Sequence, residues 1–377
     1  MKIGILTFQW AKNYGALLQM YALKEYVGSL GHEIKIIDFT PNKFASMYSL
    51  NFLRKGITFK HRIKKIIDYI LKKKQHKEFE IFFENNFSKT KLIDNSKELN
   101  KNINEFDLII VGSDQVWNEK ITEEYFLDYF LPDYEGNKIS YAASFGSNNI
   151  SKQSLYLIKK HINEFDFVSL REGKTVKLLK KITKKDNIKL VLDPVFLISP
   201  DKWYNFSSDK ISGDYILIYM LENNRTLLDT AVKMSNYYNL PIYSVEIPFT
   251  RRLNTTKKIN KLNDLGPKDF VQAFKDANYI LTNSFHGTSY SLLFEKKFLS
   301  FNHSTVNLRM KNLFELYELG DLQINDKVPS IDRIKNIFNN YDECYNSDRS
   351  KIDKHIDFSK KYIQDSISAL YGDSINE

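Results

Sequence analysis

Hydrophobic positions along the 377-residue chain fall into short unbroken runs separated by longer stretches with helical spacing. The runs at 2–8, 33–39, 106–111, 138–144, 168–170 and 189–192 place apolar residues at consecutive positions, as strands buried on both faces of a parallel sheet do. Between the first two runs a helical pattern extends from about residue 13 to 30 and stops at Gly31, which makes a βαβ unit. A polar, turn-rich stretch follows at 199–213, and the alternation then repeats. Strands are predicted at 215–221, 242–246, 279–283 and 298–301, and helices at 224–239, 266–275 and 288–295. Pro267 falls in the first turn of its helix, where the missing N–H costs nothing. The fold class predicted is α/β, with two Rossmann-like domains facing a cleft at 1–208 and 209–330. A helical tail at 331–377 is expected to pack back on the first domain.

Composition limits the choices further. The chain has 14 Gly and 8 Pro, too few for a linker-dominated or collagen-like protein. The single cysteine, Cys344, leaves no internal disulfide and no CxxC zinc site. No apolar run approaches the ~20 residues of a membrane-spanning helix. The run Ile3 to Phe8 is too short for a secretory leader. The expected location is the cytoplasm or the inner face of a membrane.

The net charge of +9 matters mainly for where it sits. From Arg54 to Lys77 there are ten Lys and Arg against a single acid, Asp68, so this stretch carries the whole excess. It lies in a basic helical insertion at about 51–86, and so local an excess does not suggest a nucleic-acid partner. Phe59, Ile63, Ile66, Ile67, Ile70 and Leu71 recur at helical spacing, and Phe79, Phe82 and Phe83 continue the series. Two readings fit this pattern. One is a core-facing stripe with a solvated basic face; the other is an amphipathic helix lying on an anionic membrane through 54–77.

Candidate chemistry gathers at strand–helix junctions, the carboxyl ends where ligands bind in open α/β sheets. In the string Thr282-Asn283-Ser284-Phe285-His286-Gly287-Thr288 a strand runs into a helix. Free backbone N–H groups there suit a phosphate or carboxylate. Ser284 and Thr288 add hydroxyls, and Gly287 allows close backbone approach. His286 lies at the positive end of the helix dipole, so a neutral ring that donates to a phosphate is expected, or one that acts as an acid once an anion is bound. Alternatively it is only part of a turn. Gly112-Ser113-Asp114-Gln115-Val116-Trp117-Asn118 is a second junction, where Asp114 is either an acid/base group or a helix cap. Asn13-Tyr14-Gly15 is a third, with Asn13 a cap and Gly15 a place for close approach. Arg171 and Glu172 follow another strand, and the guanidinium suits bidentate anion binding. No P-loop, HExxH, GxSxG or dinucleotide fingerprint occurs.

These strings together resemble the polysaccharide pyruvyl transferase family. The resemblance rests on NYGALLQMYAL, VGSDQVWN, SYAASFG, SLRE, VLDPVFL and above all GPKDFVQAFKDANYILTNSFHGTSYSLLF, and runs from about residue 2 to 321. It implies a GT-B-like fold with the acceptor on the first domain and the donor on the second. It also implies transfer of pyruvyl from phosphoenolpyruvate, a co-substrate, with no cofactor and no metal. The product would be a ketal bridging two hydroxyls of a cell-surface polysaccharide or its lipid-linked precursor. By the same resemblance His286 and Asp114 are catalytic. Ser284, Gly287, Thr288, Arg171 and Arg309 bind the donor, and Asn13, Gly15, Gln115 and Trp117 line the acceptor side of the cleft. Some members of the family carry Arg two residues before the motif His. Here that position is Ser284, which leaves Arg309 or Arg171 to supply the cation. The alternatives are a GT-B-type glycosyltransferase using a nucleotide sugar and a non-catalytic saccharide-binding relative.

Overall fold

In a computed structural model the described residues are 1–48, 67, 69–146, 149–183, 185–204, 210–247, 258–303, 307–317, 319–325 and 327–372. The predicted boundary at 208/209 and most of the basic stretch, Arg54 to Lys65 included, lie outside them.

Two six-stranded sheets, each wholly parallel, carry the fold. The first contains β1 (Lys2–Leu6), β2 (Glu33–Ile36), β3 (Leu108–Val111), β4 (Asn137–Ala143), β5 (Phe167–Leu170) and β6 (Lys189–Leu190), in the order β2-β1-β3-β4-β5-β6. The second contains β7 (Ile216–Tyr219), β8 (Ile242–Val245), β9 (Ile259–Leu262), β10 (Tyr279–Thr282), β11 (Lys297–Phe301) and β12 (Gln323–Ile324), in the order β12-β11-β10-β7-β8-β9. Ile5 faces Ile36 on one side and Ile110 on the other, and all three side chains are inaccessible to solvent. Helices cover both faces of such a sheet, which is why its strands read as continuous apolar runs. In each sheet the strand order reverses at one point, between β1 and β3 and between β7 and β10. These switch points open a crevice at the strands' carboxyl ends.

Two strands were not legible in the hydrophobic pattern. β9 (sequence INKL) and β12 are edge strands, and β9 holds polar Asn260 and Lys261 because one side of an edge needs no apolar cover. The helix after β10 also begins earlier than predicted, at Phe285 rather than residue 288. The Ser284 hydroxyl accepts from Gly287 N at 3.3 Å, so the His-Gly pair forms the first helical turn instead of a separate tight turn.

The stripe of the basic insertion divides. Ile67, Ile70 and Leu71 are 49%, 63% and 45% exposed, whereas Phe79 and Phe82 are buried. A turn at Lys72 precedes the helix Lys73–Asn86, so the two apolar series do not share one continuous face. Lys72 itself, counted among the surface bases from sequence, is buried. Its Nζ donates to Ile247 O at 2.6 Å and lies 3.9 Å from Glu246. Gln75 Nε2 donates to Tyr14 Oη and to Glu246 O, each at 2.7 Å, so the helix is wedged between the two sheets' layers.

The helix Ile331–Gly372 touches both halves. Phe338 stacks on Tyr279 of β10 at 5.3 Å, and Ser359 Oγ accepts from Leu192 N at 2.9 Å. Among the described residues no helix is long and apolar enough to cross a membrane.

Candidate functional site

The site is built from the loops after β1, β3, β5, β6 and β10. Thr7 Oγ1 donates to Ser113 O at 2.7 Å and ties the loops after β1 and β3 together. Asp114 follows with φ of 74°, a left-handed conformation that Asp tolerates better than most side chains. Its Oδ1 accepts from Gln115 N at 2.9 Å and from Arg171 Nη2 at 3.1 Å. Arg171, after β5, sends its Nη1 to Asp193 Oδ2 at 2.6 Å. Asp193, after β6, uses its other oxygen to cap the turn Pro194–Phe196, accepting from Val195 N at 3.2 Å. Glu172 lies 3.9 Å from Arg171 Nε and accepts from Ser144 Oγ.

One guanidinium therefore holds a chain of carboxylates, all of them buried. Burial works against the charge on Arg171. Asp193, Asp114 and Glu172 outweigh it and hold the guanidinium's pKa above its ordinary value. Such a cluster keeps its arrangement because removing any one member strands a buried charge.

The second half meets this cluster through the first turn of the helix Phe285–Leu293. The Phe285 ring faces the Arg171 guanidinium at 5.0 Å, and His286 Nε2 lies 3.7 Å from Asp193 Oδ2. The other edge of the imidazole rests on Gly15, where an added Cβ would fall 2.2 Å from Nδ1. Gly15 sits in the first turn of the helix Tyr14–Gly28, which Asn13 caps by accepting from Ala16 N at 2.9 Å. Beside it Tyr14 Oη donates to Leu265 O at 2.7 Å, and its ring stacks on Phe270 at 4.3 Å. The halves are thus joined where His286 meets Asp193.

A family model described as polysaccharide pyruvyl transferase matches residues 13–305, the span that contains Asn13, Gly15, Asp114, Arg171, Asp193 and His286. The chain belongs to the polysaccharide pyruvyl transferase family. Among solved structures it is similar to a putative UDP-N-acetylglucosamine 2-epimerase from Listeria monocytogenes, with TM-score 0.53, 12% identity and coverage of 99% of this chain and 97% of that one. It is likewise similar to S. aureus MnaA in a co-structure with UDP, with TM-score 0.50, 12% identity and coverage of 98% and 96%. These likenesses establish a GT-B-like fold. No curated protein matches the sequence.

In this pyruvyl transferase family member several residues expected from sequence come together and others do not. Asp114, Arg171, Gly15 and His286 meet within one connected cluster. Ser284, the N-cap, and Thr288, within the helix, are buried, and Ser284 spends its hydroxyl on capping. Gly287 has its close approach to the neighbouring strand, because a Cβ there would fall 2.2 Å from Thr282 Oγ1. Arg171 has both terminal nitrogens on carboxylates, so the geometry makes it the holder of Asp114 and Asp193. Gln115 Oε1 accepts from Asn118 Nδ2 at 2.8 Å and closes its own loop. Trp117, expected along the cleft, is a core residue: it is buried, stacks on Phe130 at 4.8 Å and donates to Tyr129 O at 2.9 Å. A large ring one turn beyond a strand end gains more from that apolar layer than from the cleft. Arg309 belongs to the helix Asn307–Leu316, but its side chain lies outside the described residues.

Sequence reasoning missed Asp193. Its signal was the Asp-Pro step that ends the sixth apolar run, a cap preceding a favoured first-turn proline. Among the described residues no group of three or more His, Cys, Asp or Glu is placed to hold a metal ion.

Proposed function

We propose that this protein moves the pyruvyl group of phosphoenolpyruvate onto two hydroxyls of a cell-surface polysaccharide or its lipid-linked precursor. The observation that carries the reading is the junction of His286, Asp193 and Gly15, with Asp114 held by the same arginine. The family of the chain supports it.

In this scheme His286 delivers a proton to the methylene carbon of the enol, and positive charge develops at C2. The first sugar hydroxyl attacks C2 and gives its proton to Asp114. Phosphate then leaves, the second hydroxyl closes the ketal, and its proton passes to the phosphate or to solvent. Asp193, with Oδ2 3.7 Å from Nε2, is the carboxylate that faces the imidazole in this scheme. The N–H groups at the start of the helix Phe285–Leu293 receive the donor's anionic oxygens.

We place the protein in the cytoplasm, at the inner face of the membrane. Exposed Ile67, Ile70 and Leu71 lie close in sequence to exposed Lys73, Lys74 and Lys77, a combination suited to an anionic surface. Incubation with phosphoenolpyruvate and candidate acceptors is expected to release phosphate and add one pyruvyl mass to the saccharide. Absence of both release and donor binding would refute the proposal. The second reading, a nucleotide-sugar transferase, is favoured by the GT-B-like fold shared with a UDP-bound protein. A thermal-shift comparison separates the two, since stabilisation by UDP but not by phosphoenolpyruvate selects the second.

A further inference from the structure

Beside the loop that follows β1 lies a groove of about 470 Å³. It is lined by Gln9 and Trp10 of that loop, by Asp38 after β2, and by Glu80, Phe83 and Glu84 of the helix Lys73–Asn86. We propose that this groove binds a neutral sugar unit of the acceptor. The inference rests on the saccharide acceptor proposed above and assigns it a place.

The polar groups of the groove are mainly acceptors. The two lysines that line it are engaged, Lys12 with Glu80 at 3.5 Å and Lys89 with Asp38 at 2.8 Å. Glu84 has no ion-pair partner among the described residues, which leaves an excess of one negative charge. Gln9 donates to Phe39 O at 2.7 Å and to Thr40 Oγ1 at 3.0 Å, while its Oε1 is buried with no partner. Carboxylates and an amide oxygen accept from hydroxyls and repel phosphate, so the groove does not suit the donor. Its apolar share is mostly aromatic. The Trp10 ring is fixed by stacking on Phe44 at 4.4 Å, and Phe83 packs against Phe87 at 5.0 Å. Such faces accept the C–H side of a sugar ring with little loss of side-chain freedom. The volume falls within the range of about 300–1,000 Å³ usual for small-molecule sites.

Position completes the argument. The groove lies at the carboxyl ends of β1 and β2, and its lining residues Gln9 to Lys12 lead in the chain to Gly15, on which His286 lies.

Saturation-transfer NMR of the full-length protein with a panel of hexose and N-acetylhexosamine disaccharides tests the assignment. At least one disaccharide is expected to bind, and Phe83→Ala with Glu84→Ala to weaken it about tenfold, the loss expected when a charged acceptor and a stacking face are removed together. Glu84→Ala alone, at an exposed position, provides the same readout if the double variant does not fold. Thermal stabilisation by phosphoenolpyruvate is expected to be equal in wild type and variants. Equal saccharide binding by wild type and variants, or no binding of any disaccharide to wild type, would overturn the groove. Loss of saccharide binding in the variants without any donor stabilisation would uphold the groove and reject pyruvyl transfer.

Discussion

The His286 imidazole lies on the backbone of Gly15, so closely that a methyl group at residue 15 would stand 2.2 Å from Nδ1 and 2.6 Å from Cε1. Gly15 belongs to the first half of the chain and His286 to the second, and the contact fixes how the ring is presented beside Asp193. Gly15→Ala is therefore expected to turn or push the imidazole while the helix Tyr14–Gly28 still forms. Activity should fall about 100-fold, the penalty typical of a catalytic group displaced by an ångström. Steady-state kinetics with a far-UV spectrum checks this, and unchanged kcat would show that the ring does no chemistry.

In the proposed transfer Asp193 is a positioning residue, joined to Arg171 at 2.6 Å and facing His286 at 3.7 Å. Asp193→Asn retains a cap for Val195 N but removes the charge between two basic groups. The expected result is a fall in kcat of about 100-fold with donor KM changed less than about threefold, smaller than the ~10⁴ seen where the carboxylate is hydrogen-bonded to the His, because the contact here is 3.7 Å. A purely structural role would lower the melting temperature and leave kcat per folded molecule alone.

His76 provides a pH prediction. Burial, with Lys12 and Lys72 nearby, pushes its pKa from 6.5 down to about 4. The unfolded chain takes up the proton near pH 6.5 and the folded one only near 4. Stability present above pH 6.5 is therefore lost as the pH falls through that window, by on the order of 2 kcal/mol. Asp128 acts in the opposite sense, since burial raises it from 3.8 to about 6 despite a hydrogen bond from Ser96, with Asp133 adding to the rise. The readout is accordingly the difference between wild type and His76→Gln in urea melts at pH 7 and pH 4.5. The variant should lose less stability on acidification.

The basic stretch yields a contrast between neighbours. Lys73→Glu, Lys74→Glu and Lys77→Glu together alter exposed positions, and are expected to release the protein from vesicles of anionic lipid without changing transfer to a soluble acceptor. Lys72→Glu is expected to destabilise the protein instead, by about 3 kcal/mol or more, because it buries a second carboxylate beside Glu246. Vesicle co-sedimentation and thermal melts separate the two effects. Retention of the triple variant on vesicles would refute the membrane contact.

Much of the architecture was legible in the chain because parallel strands buried on both faces leave uninterrupted apolar runs. That signal located ten of the twelve strands, and it failed at the edge strands β9 and β12, where burial on one side demands little. The junctions carrying Asp114, Arg171 and His286 were also visible, since ligands in such folds meet the carboxyl ends of strands. Which side chains face one another was not visible. Asp193 and His286 are 93 residues apart in the sequence, and only the docking of the two sheets brings Oδ2 to 3.7 Å from Nε2. The same docking turns Gly15 into the support of an imidazole.

The +9 charge shows the division most clearly. The sequence located its excess in one segment, because charge is a local count. Tertiary packing decided that Lys72 in that segment is buried between the halves while Ile67, Ile70 and Leu71 face solvent, because burial depends on what a side chain meets after the chain has folded.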